Sequence, residues 1–150
     1  MTAYRRKLLL PLTIACISCC SMTAWAGEWI QDETGAWIYE EGQDVLKGWQ
    51  KIDGRWYCLD SETGVWEAKP QLTREAACHL LENKLQDMGL YQDEEEELQY
   101  KADYETDKKL EILVGYEEKP EVFHTINVYE VDKKTGMADP AVGDKEIALW

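Results

Sequence analysis

The chain is short of the residues that catalytic and nucleic-acid-binding proteins usually depend on. Its 150 residues include 2 His, and 16 Lys and Arg against 30 Asp and Glu, a formal charge of −14. A chain this acidic does not suit a phosphate backbone or an anionic membrane, both of which require a basic surface. It also lacks a run long enough to cross a bilayer. The longest apolar stretch, LLLPLTIACISCC at 8–20, falls below the ~20 residues a spanning helix needs. No nucleophile elbow or Ser/His/Asp constellation occurs. His79 follows Cys78 directly, and neighbouring helix residues diverge by about 100°, so the two do not form a nucleophile–base pair. His79 reads as a surface helix residue, and His124 stands alone on an expected strand. Carboxylates are too numerous to single out an acid/base pair. No catalytic activity is expected.

The N-terminus reads as an export signal. Arg5, Arg6 and Lys7 precede the apolar run, and Ala24 and Ala26 are small residues at cleavage-determining positions. Cleavage after Ala26 would leave a chain beginning at Gly27. The alternatives are an uncleaved anchor, or lipidation at Cys16, for which Thr13 is a poor lipobox residue. Three of the 16 basic residues and none of the acidic ones precede Gly27. The remaining chain therefore has 13 basic and 30 acidic residues, a charge of −17. Such a charge suits a cationic ligand group.

Beyond residue 26 only Cys58 and Cys78 remain of five cysteines. They form no CxxC pair or Cys/His cluster, so no zinc is expected. In an exported chain two cysteines permit one disulfide, Cys58–Cys78, or two free thiols.

With one Phe in the chain, its 7 Trp and 8 Tyr stand out. Five of the Trp (Trp29, Trp37, Trp49, Trp56, Trp66) lie between Gly27 and Pro70. The crowding reflects a repeat: EWIQDETGAWIYEEGQDVLK aligns with GWQKIDGRWYCLDSETGVW, setting Trp29 on Trp49, Gly35 on Gly54 and Trp37 on Trp56. Each unit predicts strand, turn, strand. Asp53-Gly54 suits a two-residue hairpin turn. DETG makes a longer turn in the first unit, and SETG a turn after the second.

The stretch GWQKIDGRWYCLD resembles the cell-wall-binding repeat of choline-binding and related surface proteins of Gram-positive bacteria. Gly48-Trp49, Gly54, Trp56-Tyr57 and Asp60 match that pattern, while Cys58 and Leu59 replace a Tyr and a Phe. The first unit is looser. The resemblance implies hairpins stacked as a β-solenoid, with aromatics boxing the trimethylammonium of choline on teichoic acid, or stacking on a glycan. It makes Trp29, Trp37, Trp49, Trp56 and Tyr57 the candidate ligand-binding residues. Physically, a quaternary ammonium donates no hydrogen bond and is held by ring faces. The competing reading is that these Trp only pack the hairpins, since solenoid repeats usually need about three units for stability.

The second half predicts a helix over 73–88, with Thr73 as N-cap, Gly89 beyond its end, and a stripe of Ala77, Leu80, Leu81, Lys84, Leu85 and Met88. DEEEE at 93–97 reads as a solvated loop without EF-hand spacing. LQYKADYE, KLEILVGYEE and VFHTINVYEVD then read as strands, and DKKTG as a turn. VYEVDKKTG weakly resembles the end of small extracytoplasmic domains of the PepSY type. That resemblance implies a role in protein interaction or protease inhibition.

Together these readings predict an α+β chain. Residues 1–26 are a signal peptide, 27–69 two aromatic-rich β-hairpin repeats, solenoid-like, and 70–150 a helix packed on an antiparallel meander. The expected function is that of a secreted, non-catalytic protein bound to the cell envelope without cofactor or metal. Its expected partner is choline-bearing teichoic acid or a wall glycan. The alternative is an extracellular interaction or inhibitory protein whose partner is another surface protein.

Overall fold

A computed structural model describes residues 27–92, 94, 96–143 and 145–150. The expected signal peptide, the Cys16 alternative and two residues of the acidic run lie outside the described residues. Among these residues the chain is mostly antiparallel β-structure with one helix, an α+β arrangement.

Two hairpins come first. β1 (Glu28–Gln31) pairs with β2 (Trp37–Glu41), and β3 (Asp44–Val45) adds to the other edge of β2. β4 (Gly48–Ile52) then pairs with β5 (Arg55–Leu59). Asp53 (φ 50°) and Gly54 (φ 81°) both take the left-handed conformation, so two residues suffice to reverse the chain and set Ile52 opposite Arg55. Without Gly54 the turn would be strained.

Longer reversals use another device three times. Asp32, Asp60 and Asp132 each accept the backbone N–H and the hydroxyl of a following threonine, at 2.8 and 2.6 Å from Thr34, 2.6 and 2.7 Å from Thr63, and 2.8 and 3.0 Å from Thr135. These bonds hold all three carboxyls below the ordinary carboxylate range. In each case a glycine follows the threonine. At Gly64 the need is double. Its φ is +77°, and a Cβ there would lie 2.4 Å from Val45 Cγ1, so the turn also seats the second unit against the first.

α1 (Arg74–Asp87) starts where Thr73 Oγ1 accepts the Ala76 N–H at 3.1 Å. It ends in a Schellman arrangement, Gly89 N–H donating to Gln86 O at 3.0 Å and Leu90 N–H to Leu85 O at 2.9 Å. The meander β6 (Gln99–Glu105), β7 (Lys109–Lys119), β8 (Val122–Asp132), β9 (Met137–Pro140) and β10 (Ile147–Ala148) forms one five-stranded sheet in chain order. Register aligns its inner face. Ala102, Ile112 and Tyr129 lie abreast, as do Leu110, Val131 and Ala138. Ala77, Leu81 and Leu85 cover that face, all essentially inaccessible to water. The expected stripe is narrower than predicted. Met88 is the C-cap and is exposed, because the helix ends there.

One polar network is buried beneath the sheet's end. Asn127 Nδ2 donates to Tyr91 Oη and to Val142 O, both at 3.0 Å, and Tyr91 Oη lies 3.0 Å from Tyr129 Oη. It ties the post-helix segment and the segment after β9 to β8, with every buried polar group partnered.

Candidate functional site

Both hairpins carry two Trp on one face. In the first, Trp29 sits opposite Tyr39 and Trp37 opposite Gln31. In the second, Trp49 sits opposite Cys58 and Trp56 opposite Lys51. Cys58 thus holds the place that Tyr39 holds in the first hairpin. Alternation along β5 sends Tyr57 to the opposite face.

The two Trp faces meet different partners. That of the second hairpin lies on α1. Trp56 stacks on His79, ring centroids 3.7 Å apart and planes 24° apart, and Trp49 flanks the same imidazole at 5.0 Å. Trp56 Nε1 donates to Glu82 Oε2 at 2.8 Å. Lys51 pairs with Glu82 Oε1 at 2.7 Å, and Arg55 forms a two-pronged pair with Asp87. Asn83, only 6% exposed, completes the seam. Its Oδ1 accepts the Trp56 N–H at 2.9 Å and its Nδ2 donates to Trp56 O at 2.8 Å. One amide side chain therefore stands in for a neighbouring strand along the free edge of β5.

This corrects three expectations. Trp49 and Trp56 do not join Trp29 and Trp37 in one box; they lie on the face that meets α1, where both line a separate hollow with Tyr57 and Trp66. His79 is not a surface residue but lies half-buried between them. Burial pushes its pKa below the usual histidine value, against the opposing pull of Glu75 and Glu82. The Cys58–Cys78 bridge is not formed. Cys58 Sγ lies 3.7 Å from Glu67 Oε2, whereas Cys78 packs against the helix–sheet core. Burial pushes both thiols up to about 11, so both stay protonated at neutral pH and are poor nucleophiles.

The Trp face of the first hairpin meets the Tyr57 face of the second. Trp29 makes edge-on contacts with Tyr39 (5.2 Å), Tyr57 (4.9 Å) and Trp66 (6.2 Å), and Tyr57 meets Trp66 edge-on at 6.2 Å. Trp29, Trp37, Tyr57 and Trp66 line an open hollow of about 290 Å³. The structure thus brings three of the five expected residues together. Trp37 and Trp66, 43% and 40% exposed, form its outer wall. Among the described residues its lining is four aromatic side chains, which offer ring faces together with indole N–H groups and the Tyr57 hydroxyl. Burial, with the Asp53 and Glu41 carboxylates adding to it, pushes the pKa of the neighbouring Tyr39 phenol up.

Trp66 is the residue the sequence reading missed. Its N–H donates to Trp37 O at 2.8 Å and it bridges to Leu59, which joins the two hairpins. The signal was present: Glu62-Thr63-Gly64-Val65-Trp66 copies Glu33-Thr34-Gly35-Ala36-Trp37. In both, the Asp–Thr turn delivers the Trp to the same hollow.

No protein-family model, curated protein or solved structure matches the chain.

Proposed function

We propose that this is a secreted, non-catalytic cell-envelope-binding protein whose hollow of Trp29, Trp37, Tyr57 and Trp66 receives a choline group or a sugar ring of a wall polymer. The observation that carries the reading is the all-aromatic lining with two Trp left exposed. Leaving large apolar rings in water around a concavity is unfavourable unless a ligand covers them. A trimethylammonium suits such a lining best, because it needs no hydrogen-bond partner and gains from ring faces in a chain of strong negative charge. In this reading the two hairpins form a minimal β-solenoid-like stack, with α1 and the five-stranded sheet as its support. A single hollow binds weakly, with a Kd of about 1 mM for free choline. Useful retention on a wall then requires a polymer or assembly that presents many groups at once.

The competing reading is an interaction or inhibitory protein, of the kind the PepSY resemblance implies, with every Trp structural. Trp49 and Trp56 fit it better than Trp37 and Trp66, which stay 43% and 40% exposed around the hollow. The test is retention on purified choline-bearing cell walls, with elution by free choline. Retention lost in Trp37→Ala supports the proposal. Absence of retention, or retention indifferent to both choline and Trp37→Ala, rejects it.

A further inference from the structure

A second, deeper hollow lies where β5, the segment after Trp66, α1 and the residues after β10 converge. It measures about 180 Å³ and shares Tyr57 and Trp66 with the aromatic hollow. Its character differs. Trp49, Trp56, Tyr57, Trp66 and Trp150 contribute aromatic surface, Leu80 and Leu149 apolar surface, and, unlike the first hollow, Arg55, Glu67 and Lys84 add charged groups of both signs. Trp150 is held in place there. Leu149 N–H donates to Gly136 O at 3.0 Å. The indole lies on Gly136, where a Cβ would come within 2.7 Å of it, and Lys69 Nζ sits 5.5 Å from the ring centroid. Aromatic surface is thus fixed beside hydrogen-bonding groups in one cleft.

The charges nearly balance. Arg55 is already paired with Asp87, and Glu67 offsets Lys84. A cleft lined by charged groups of both signs has no strong preference for an ion of either sign. It suits a neutral group that both donates and accepts hydrogen bonds while presenting an apolar flank. The planar end of Glu67 offers paired acceptor atoms that match neighbouring hydroxyls, and Lys84 adds a donor.

We propose that this cleft is a saccharide subsite that takes one pyranose ring, stacked on Trp150 or Trp66, with its hydroxyls on Glu67 and Lys84. It is distinct from the aromatic hollow and does not depend on what fills that hollow. The shared Tyr57 and Trp66 place the two within one ligand's reach, so a polymer carrying a substituted sugar would occupy both.

The probes are glucose, galactose, N-acetylglucosamine and the trisaccharide of N-acetylglucosamine, each titrated by calorimetry into the protein with and without saturating choline. At least one should bind in the presence of choline. The double variant Glu67→Ala/Lys84→Ala should weaken it about tenfold or more, the loss expected from removing charge-assisted hydrogen bonds, and should leave choline affinity unchanged. Trp37→Ala should leave sugar affinity unchanged. Trp150→Ala should abolish sugar binding, and a circular dichroism melt shows whether it remains folded; the double variant, at partly exposed side chains, keeps the test decisive if it does not. Sugar binding without choline binding, kept in Trp37→Ala and lost in Glu67→Ala/Lys84→Ala, would leave the aromatic hollow without a ligand and this subsite standing. Binding of none of the probes, or sugar displaced by choline and lost in Trp37→Ala but not in Glu67→Ala/Lys84→Ala, overturns the proposal.

Discussion

The two hairpins are built alike and used differently. Each sets two Trp on one face by the same cross-strand geometry. The second hairpin's pair is matched by α1, which offers an imidazole to stack on, a carboxylate for the indole N–H and an amide for the strand edge. The first hairpin's pair faces Tyr57 and Trp66, which cover Trp29 and leave Trp37 open. A Trp is held or left open according to whether its neighbour supplies polar and stacking partners. The repeat itself does not decide it. Cys58 sits at the same divide. Where the first hairpin has Tyr39, the second has a small side chain on the face turned to α1.

If that contrast is right, substitutions in the second hairpin should damage stability and those in the first should damage binding. Trp56→Ala has the largest expected effect. It removes the His79 stack and the indole donor to Glu82 Oε2, at about 3 kcal/mol in urea unfolding. Asn83→Ala should follow, at about 2 kcal/mol, because it leaves the Trp56 N–H and C=O unpartnered at a buried seam. Thr73→Ala, which removes the helix cap at a distance from both hairpins, should cost about 1 kcal/mol.

Acid provides a further probe of the seam. The folded-state pKa of His79 lies below its unfolded value, so protons bind more readily to the unfolded chain. Its contribution is fully present above the unfolded value of about 6.5 and declines as pH falls from there toward the lower folded value. Glu75 and Glu82 moderate the effect and Lys51 adds to it. Unfolding measured at pH 7.5 and 5.5 should show a loss that His79→Phe reduces. An equal loss in both proteins would place the acid sensitivity elsewhere. The smallest effect among the Trp substitutions belongs to Trp37→Ala, below about 1 kcal/mol, because 43% of the residue is already exposed.

Much of the scaffold was legible in the sequence. The helix announced itself through Thr73, the Ala77–Leu81–Leu85 spacing and Gly89, and β6 to β8 through their length and apolar content. Asp53-Gly54 fixed the second hairpin's register. β10, two residues long, has no alternation to read. The division of the Trp was not legible, because the deciding residues lie elsewhere. His79, Glu82 and Asn83 look like ordinary polar helix positions until β5 is laid against them. Counting cysteines likewise gave one permitted pair but no side-chain direction, and the two thiols have separate environments. Trp66 was missed for a simpler reason. The alignment was drawn between whole hairpins, while the Glu-Thr-Gly-x-Trp copy runs from the first hairpin's turn to the segment after the second.

The most direct test of the account is a choline titration, followed by tryptophan fluorescence, of the parent protein, Trp37→Ala and Trp49→Phe. The account predicts a saturable shift with a Kd of about 1 mM in the parent and in Trp49→Phe, and none in a fully folded Trp37→Ala. A shift that persists in Trp37→Ala but vanishes in a folded Trp49→Phe would contradict it and return the ligand to the helix-facing side of the second hairpin.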